Sequence, residues 1–175
     1  MRKALQILGV LNDDDINWLI RNGEREVHSP GAVIIQQGKS IDSLIILLDG
    51  QLTVSTHGTH QIASLYSGEI IGEMVMLDKE LPSATVTAAR ESIVLKIDRD
   101  VLERRLESDA PFAARFYRAV ALFLASRLRT TVSNLGYGEV VVSHDSGELS
   151  DDSMEMMSEA AARFDRMLKR THAAA

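Results

Sequence analysis

Residues 68–86, GEIIGEMVMLDKELPSATV, are the stretch that decides the fold. Two glycines bracket a pair of isoleucines, a short mixed segment begins at Glu73, and a β-branched run closes the stretch after Pro82. A glycine-rich turn that opens a short helix presents free backbone N–H groups, which suit an anion. Gly72 would let the backbone come close to such an anion. The stretch therefore predicts an anion-binding loop that leads into a strand.

The residues around this loop read as an all-β unit. Between Val27 and Ile97, short β-branched runs alternate with glycines, which is typical of strands joined by tight turns. The close spacing favours a sandwich or barrel over alternating strands and helices. We expect strands in the runs 33–35, 44–48, 52–54, 62–65, 85–86 and 93–97.

Helical patterns lie on both sides of the β unit. Asn12 or Asp13 is placed to cap the second of two short N-terminal helices. Asp98 can cap a helix after the last strand, and Pro111 can start a longer one, where its missing N–H costs nothing. The predicted organisation is N-terminal helices over 1–26, the β unit over 27–97, lid or dimer helices over 98–136, and a linker with a final helix over 137–175.

The final helix is predicted to be amphipathic. Its apolar residues recur at spacings of three and four, and Lys169 and Arg170 favour its C-terminus. Such a stripe packs on the chain's own elements or on a partner, and the pattern does not separate the two. The stripe consists of Met154, Met157, Ala161, Phe164 and Leu168.

Composition narrows the class of protein. The 175 residues carry a net charge of −6, so no basic surface favours nucleic acid. The absence of cysteine excludes disulfides and thiolate metal sites and is compatible with a cytoplasmic location. The apolar runs are strand-sized, and the N-terminus lacks the features of a signal peptide, so we expect no membrane segment.

Residues 68–86 resemble the phosphate-binding cassette of the cyclic nucleotide-binding domain family, which includes catabolite activator proteins and protein kinase A regulatory subunits; we call these residues the cassette. The resemblance runs from about Leu5 to Leu135. It implies an α+β chain with an antiparallel β-barrel, a double-stranded β-helix of the jelly-roll type, flanked by helices at both ends. Further matching positions are Pro30, Gly31, Ile34, Ile35, Gly38, Asp42, Ile46, Gly50 and Val54.

The resemblance also implies a set of ligand-binding residues. Glu73 would accept a hydrogen bond from a ribose 2′-hydroxyl, and Ser83 and Ala84 would offer a hydroxyl and an N–H to the cyclic phosphate. A threonine on the long helix, Thr131 rather than Thr130, would touch the base. The implied set is Gly72, Glu73, Met74, Val75, Ser83, Ala84, Thr85 and Thr131.

One position departs from the family pattern. Proline stands at position 82, where the family has an arginine that pairs with the cyclic phosphate. Losing such a pair typically costs about 2–5 kcal/mol, or roughly 30-fold to several-thousand-fold in affinity. Lys79 in the same loop is one candidate replacement for this charge, and Arg115 or Arg118 on the long helix are others.

Two functions fit these features. The first is a stand-alone sensor or regulatory module that binds cyclic AMP, another cyclic nucleotide or a related small anion, and signals through its C-terminal helices. The second is a scaffold that binds no ligand and pairs with a protein partner or with itself through those helices. An enzyme, a DNA-binding protein and a metal site on the pair His57 and His60 all lack support.

Overall fold

The β unit consists of eight strands in a computed structural model that describes residues 9–56, 60–78, 80–134 and 151–173. The strands are β1 (Gly23–His28), β2 (Val33–Ile35), β3 (Ser43–Asp49), β4 (Gln51–Thr56), β5 (His60–Tyr66), β6 (Ile70–Ile71), β7 (Thr85–Ala88) and β8 (Ser92–Asp98). One antiparallel sheet has the order β1-β8-β3-β6, and the other has the order β2-β7-β4-β5. The β unit begins at Gly23, ahead of the predicted Val27, because Gly23 already pairs with Ile97.

The prediction of a closed barrel is wrong. The two sheets remain separate and pack face to face as a jelly-roll-like sandwich. Two of the strands at the sheet edges, β2 and β6, are three and two residues long, so they offer little backbone to continue a ladder across the gap. The antiparallel β-rich architecture with flanking helices is confirmed.

The sequence of β3 is apolar without alternation because both faces of the strand are buried. Leu44, Ile46 and Leu48 point to the helices, whereas Ile45 and Leu47 point to the other sheet. All five side chains are buried. Sheet β1-β8-β3-β6 is therefore the central layer, with the second sheet on one side and helices on the other.

Five helices lie within the described residues: α1 (Asp13–Asn22), α2 (Glu73–Asp78), α3 (Arg99–Ser108), α4 (Ala110–Asn134) and α5 (Asp151–Ala173). Asn12 caps α1 through its side chain, and Asp15 completes the capping box. Asp98 caps α3 by accepting from the N–H of Val101, which confirms that prediction. None of these helices combines the length and apolarity that crossing a bilayer requires.

Helix α1 contacts both α4 and α5. Asp15 of α1 is fully buried and accepts two hydrogen bonds from Arg115 of α4, at 2.6 and 2.9 Å. Among the α5 side chains that the structure describes, Ala160, Met167 and Thr171 are buried, and the first two join the same core as Leu19. Helix α1 therefore holds the Asp15 carboxylate against the long helix and shares an apolar core with the last helix.

The predicted stripe on α5 needs one correction. Ala161 is exposed, and Ala160 is buried in its place, because the face that meets α1 runs through positions 160, 164, 167 and 171. Phe164 and Leu168 pack against this core as predicted. The side chains of Met154 and Met157 lie outside the part of the chain that the structure describes.

Candidate ligand-binding site

Within the cassette, a glycine turn beside β3 fixes where α2 begins. Gly72 has a φ of +84°, and a Cβ built there would lie 2.7 Å from the carbonyl oxygen of Ser43. The position therefore excludes a side chain on both conformational and steric grounds. Because Ile71 pairs with Ile45 just before this turn, α2 begins at Glu73 directly against the central sheet.

The far end of the cassette is held by the turn after β2. The N–H of Gly38 donates to the carbonyl oxygen of Pro82 at 2.9 Å, and the N–H of Gln37 donates to the hydroxyl of Thr85 at 3.1 Å. These two bonds fix residues 82–85 through backbone and hydroxyl groups rather than through the side chain at position 82.

Glu73 is the most constrained side chain of the site. It is 2% exposed, and its Oε1 accepts a hydrogen bond from Nη1 of Arg127 at 2.9 Å. Arg127 also donates to the carbonyl oxygen of Ile70, and its guanidinium lies 4.4 Å from the ring centroid of Phe123. The first residue of α2 is thus tied to the C-terminal half of the long helix.

Burial raises the pKa of the Glu73 carboxyl above its ordinary value. Arg127 and the N–H of Glu73 itself act in the opposite direction, but removal from water outweighs them. The ionised carboxylate is therefore short of stabilising partners. A hydroxyl donor on a bound molecule would supply one, which is the chemistry expected of a ribose acceptor.

The predicted replacement cations do not gather at position 82 in the described residues. Arg115 is committed to Asp15, at the opposite end of α4 from Arg127. Arg118 is exposed on the helix surface. Lys79 lies outside the described residues, so its prediction as a phosphate partner stays a prediction.

The remaining predicted site residues occupy different environments. Ser83 is exposed beside the half-buried Pro82 and Ala84, and Met74 is 49% exposed on α2. Val75 lies in α2, but its side chain is outside the description. Thr131 is exposed, and its hydroxyl donates to the carbonyl oxygen of Arg127 at 3.0 Å. Its contact with a base stays a prediction.

Arg127 is the site residue that the sequence analysis missed. It lies four positions after Phe123, so it continues the face of α4 that Phe116 and Phe123 bury. A charged residue on a core-facing stripe calls for a buried partner of opposite charge. That signal was present in the sequence, but the identity of the partner, 54 residues away, was not.

Two kinds of comparison relate the chain to known proteins. Residues 25–109 match the family model described as "Cyclic nucleotide-binding domain". A cGMP-dependent protein kinase of Toxoplasma gondii is 38% identical over 81 residues, which are 46% of this chain and 8% of the kinase. A cAMP-dependent protein kinase regulatory subunit of Yarrowia lipolytica is 29% identical over 105 residues, 59% of this chain and 28% of that protein. This chain thus spans less than a third of either relative.

Solved structures agree on the fold. A cyclic nucleotide-binding domain from Methylobacillus flagellatus superposes with a TM-score of 0.70 at 21% identity. The match covers 80% of this chain and 86% of that one, so it reaches well beyond residues 25–109. At this identity the similarity speaks for the architecture alone.

Proposed function

Because residues 25–109 of this chain belong to the cyclic nucleotide-binding domain family, we propose that the chain is a non-catalytic regulatory module. Its cassette binds a cyclic nucleotide or a related small anion weakly or in an altered mode. Its C-terminal helices carry the signal to a partner. The observation that carries this proposal is the contact between buried Glu73 and Arg127 of α4.

The contact between Glu73 and Arg127 couples ligand binding in the cassette to the position of the long helix. A hydroxyl that donates to Glu73 competes with Arg127 for the same carboxylate or shares it. In either case the position of Arg127, and with it the C-terminal half of α4, responds to occupancy of the cassette. The second anchor of α4, between Arg115 and Asp15, lies about three helical turns away and holds the other end.

Position 82 supplies no charged partner for the phosphate of the ligand. Pro82 supplies neither a cation nor an N–H donor, so a cyclic phosphate would rely on backbone N–H groups and the hydroxyl of Ser83. Such donors are weaker than an arginine fork. The proposed binding is therefore weaker than that of an arginine-containing cassette, by about 30-fold to several-thousand-fold.

Isothermal titration calorimetry tests the proposal. We expect cyclic AMP, cyclic GMP or a cyclic dinucleotide to give heat of binding at millimolar concentration. Glu73→Gln should weaken that binding by about tenfold, since a charged acceptor is replaced by a neutral one. Glu91→Gln, the same change at an exposed residue outside the cassette, should leave it unaltered. The proposal fails if none of the three ligand classes gives heat or a thermal shift.

A second candidate function is favoured by the outer face of α4. Ala114, Tyr117, Ala121 and Leu128 are exposed, and Leu124, which completes the spacings of three and four residues, is half-buried against the core. This is the heptad spacing of a coiled-coil seam, and it lies on a different side of α4 from the core-facing Phe123. The face is thus suited to pairing with a second copy of the chain, with or without a ligand in the cassette.

Sedimentation velocity tests this pairing. Leu128 is 64% exposed, and Leu128→Glu should convert a dimer to a monomer because two carboxylates would meet at the seam. Leu122 is 43% exposed but lies off the stripe, so Leu122→Glu is the matched control and should leave the dimer intact. The dimer would be ruled out if the wild-type chain sediments as a monomer at a concentration about 100-fold higher than that used for calorimetry.

A further inference from the structure

A cleft opens between the two sheets at the side where β1 and β2 lie. These strands are the edges of different sheets, and they do not pair with each other in the described residues. The cleft has a volume of about 350 Å³, which is within the range of small-molecule sites. Its described lining comes from β1, β2, the loop at residues 36–42, β3 and β8, and none of it belongs to the cassette. The cleft is therefore separate from the candidate site described above.

The walls of the cleft carry charge on a face that is otherwise core. Val94 of β8 is fully buried between the sheets, and Lys96, two residues later, points to the same side. Glu26 of β1 is the ladder partner of Val94, so its side chain also points between the sheets. Nζ of Lys96 lies 3.6 Å from Oε1 of Glu26. An ion pair thus stands where an apolar pair would have extended the core between the sheets.

His28 adds a polar atom with unused hydrogen-bonding capacity. Its Nε2 is buried and lies 3.1 Å from Oε2 of Glu26, yet it forms no hydrogen bond of acceptable geometry within the described residues. Buried polar atoms in folded proteins are nearly always paired with protein, water or ligand. The imidazole lines the cleft, so a molecule bound there could pair with it.

The charges that line the cleft are balanced. Lys39 and Asp42 are exposed on the loop between β2 and β3. Together with Lys96 and Glu26 they give two ammonium groups and two carboxylates in the described lining. A ligand with a net charge, such as a phosphate ester, would meet as many like charges as opposite ones, and like charges brought together are unfavourable. A small zwitterion matches both signs.

The floor of the cleft is apolar. Ile35 of β2 and Ile45 of β3 line it, and they are 6% and 3% exposed. An aliphatic side chain that covers them would be removed from water. We propose that the cleft binds an α-amino acid with an aliphatic side chain. The lysines hold its carboxylate, the acidic residues hold its ammonium group, and the isoleucines contact its side chain. This proposal is independent of any ligand in the cassette.

L-Leucine is the probe, and saturation-transfer NMR titration with the full chain is the measurement. L-Leucine should bind at least about tenfold more tightly than isocaproate, which lacks the ammonium group, and isoamylamine, which lacks the carboxylate. The reason is that each analogue loses a set of charge-assisted hydrogen bonds. Ser40 is an exposed residue of the lining, so Ser40→Trp should block the cleft and abolish binding without disturbing the core.

Two charge variants should reverse the order of the analogues. Glu26→Gln leaves an excess of positive charge, so the chain should bind isocaproate more tightly than isoamylamine. Lys96→Gln leaves an excess of negative charge and should give the opposite order. Lys39 is exposed, so Lys39→Gln should shift the order in the same direction if Lys96→Gln folds poorly. Lys169→Gln, the same change on α5 at a side chain that is 75% exposed, should leave all three affinities unaltered.

Three results would overturn the proposal. The first is no binding of L-leucine at about 10 mM, which is tenfold above a millimolar Kd. The second is equal affinity of the wild-type chain for L-leucine, isocaproate and isoamylamine. The third is the same order of the two analogues in Glu26→Gln and in the lysine variant, since an ion pair with a purely structural role would not control which analogue binds more tightly.

Discussion

Replacing Pro82 with arginine is expected to strengthen binding of cyclic AMP by about 30-fold to several-thousand-fold. The substitution restores a charge-assisted, bidentate partner for the cyclic phosphate. The surrounding loop should tolerate it, because position 82 is held through its carbonyl oxygen, which bonds to the N–H of Gly38 and is present in either residue. The side chain itself is half-buried and makes no hydrogen bond.

Three controls separate the gain of charge from other effects. Pro82→Ala removes the ring without adding a cation and should leave affinity near the wild-type value. Pro82→Lys adds a point charge without the fork and should give only part of the gain. Adenosine carries no phosphate, so its affinity should not respond to Pro82→Arg. A similar gain for adenosine would show that the substitution reshapes the pocket rather than pairing with the phosphate.

The result also separates the two candidate functions. Binding gained by Pro82→Arg would indicate that Glu73 and Ser83 still form a ligand pocket that lacks only its cation. If Pro82→Arg still gives no heat of binding and the ligand leaves the melting temperature unchanged, a scaffold that keeps the fold without binding a ligand is favoured. The pairing surface on α4 would then carry the function, since Leu128 and Tyr117 are exposed in either case.

Local signals in the sequence accounted for much of the fold. The sequence places Gly72 in a glycine-rich turn that opens a short helix, and its φ of +84° agrees with a turn. Asp98 is predictable as a helix cap, and Asn12 is one of two candidates with Asp13, because a cap depends on residues only three positions away. Elements defined by neighbouring residues are therefore predictable from the chain alone.

Features that depend on distant residues were not predictable. A closed barrel and a two-sheet sandwich share the same strand pattern, and they differ only in whether the sheet edges pair. Arg115 was considered for the phosphate site, yet its partner is Asp15, 100 residues away in sequence. The choice between Ala160 and Ala161 depended on the direction from which α1 approaches α5. In each case the deciding contact is tertiary.

The contact between Glu73 and Arg127 yields the largest expected effect on stability. Arg127→Ala should lower the free energy of unfolding by about 3 kcal/mol at pH 7, because it leaves a buried carboxylate without its charged partner. The Arg127 side chain is 30% exposed, which places the effect at the low end of the range for broken buried pairs. Arg129 is exposed on the same helix, so Arg129→Ala is the control and should change little. Urea denaturation followed by circular dichroism measures both.

The pH dependence of that loss gives a sharper test. Because the folded pKa of Glu73 is raised, the folded state holds this proton more strongly than the unfolded state does. Its contribution to stability is therefore complete below the unfolded pKa and is lost as pH rises through the folded pKa. Removing Arg127 should raise the folded pKa further, so the destabilisation should be small near pH 4 and grow toward pH 7. An equal loss at both pH values would contradict this coupling.

A double-mutant cycle then assigns the coupling to the pair and connects it to ligand binding. Glu73→Gln removes the buried charge that Arg127 stabilises. In that background the loss of unfolding free energy caused by Arg127→Ala should be smaller than in the wild-type chain, by about 1.5 kcal/mol or more. The same carboxylate should govern affinity, because a ribose hydroxyl donates best to its ionised form. Cyclic nucleotide binding should therefore weaken as pH falls through the raised pKa of Glu73, and Glu73→Gln should remove that pH dependence. A pH profile that survives Glu73→Gln would place the titrating group elsewhere.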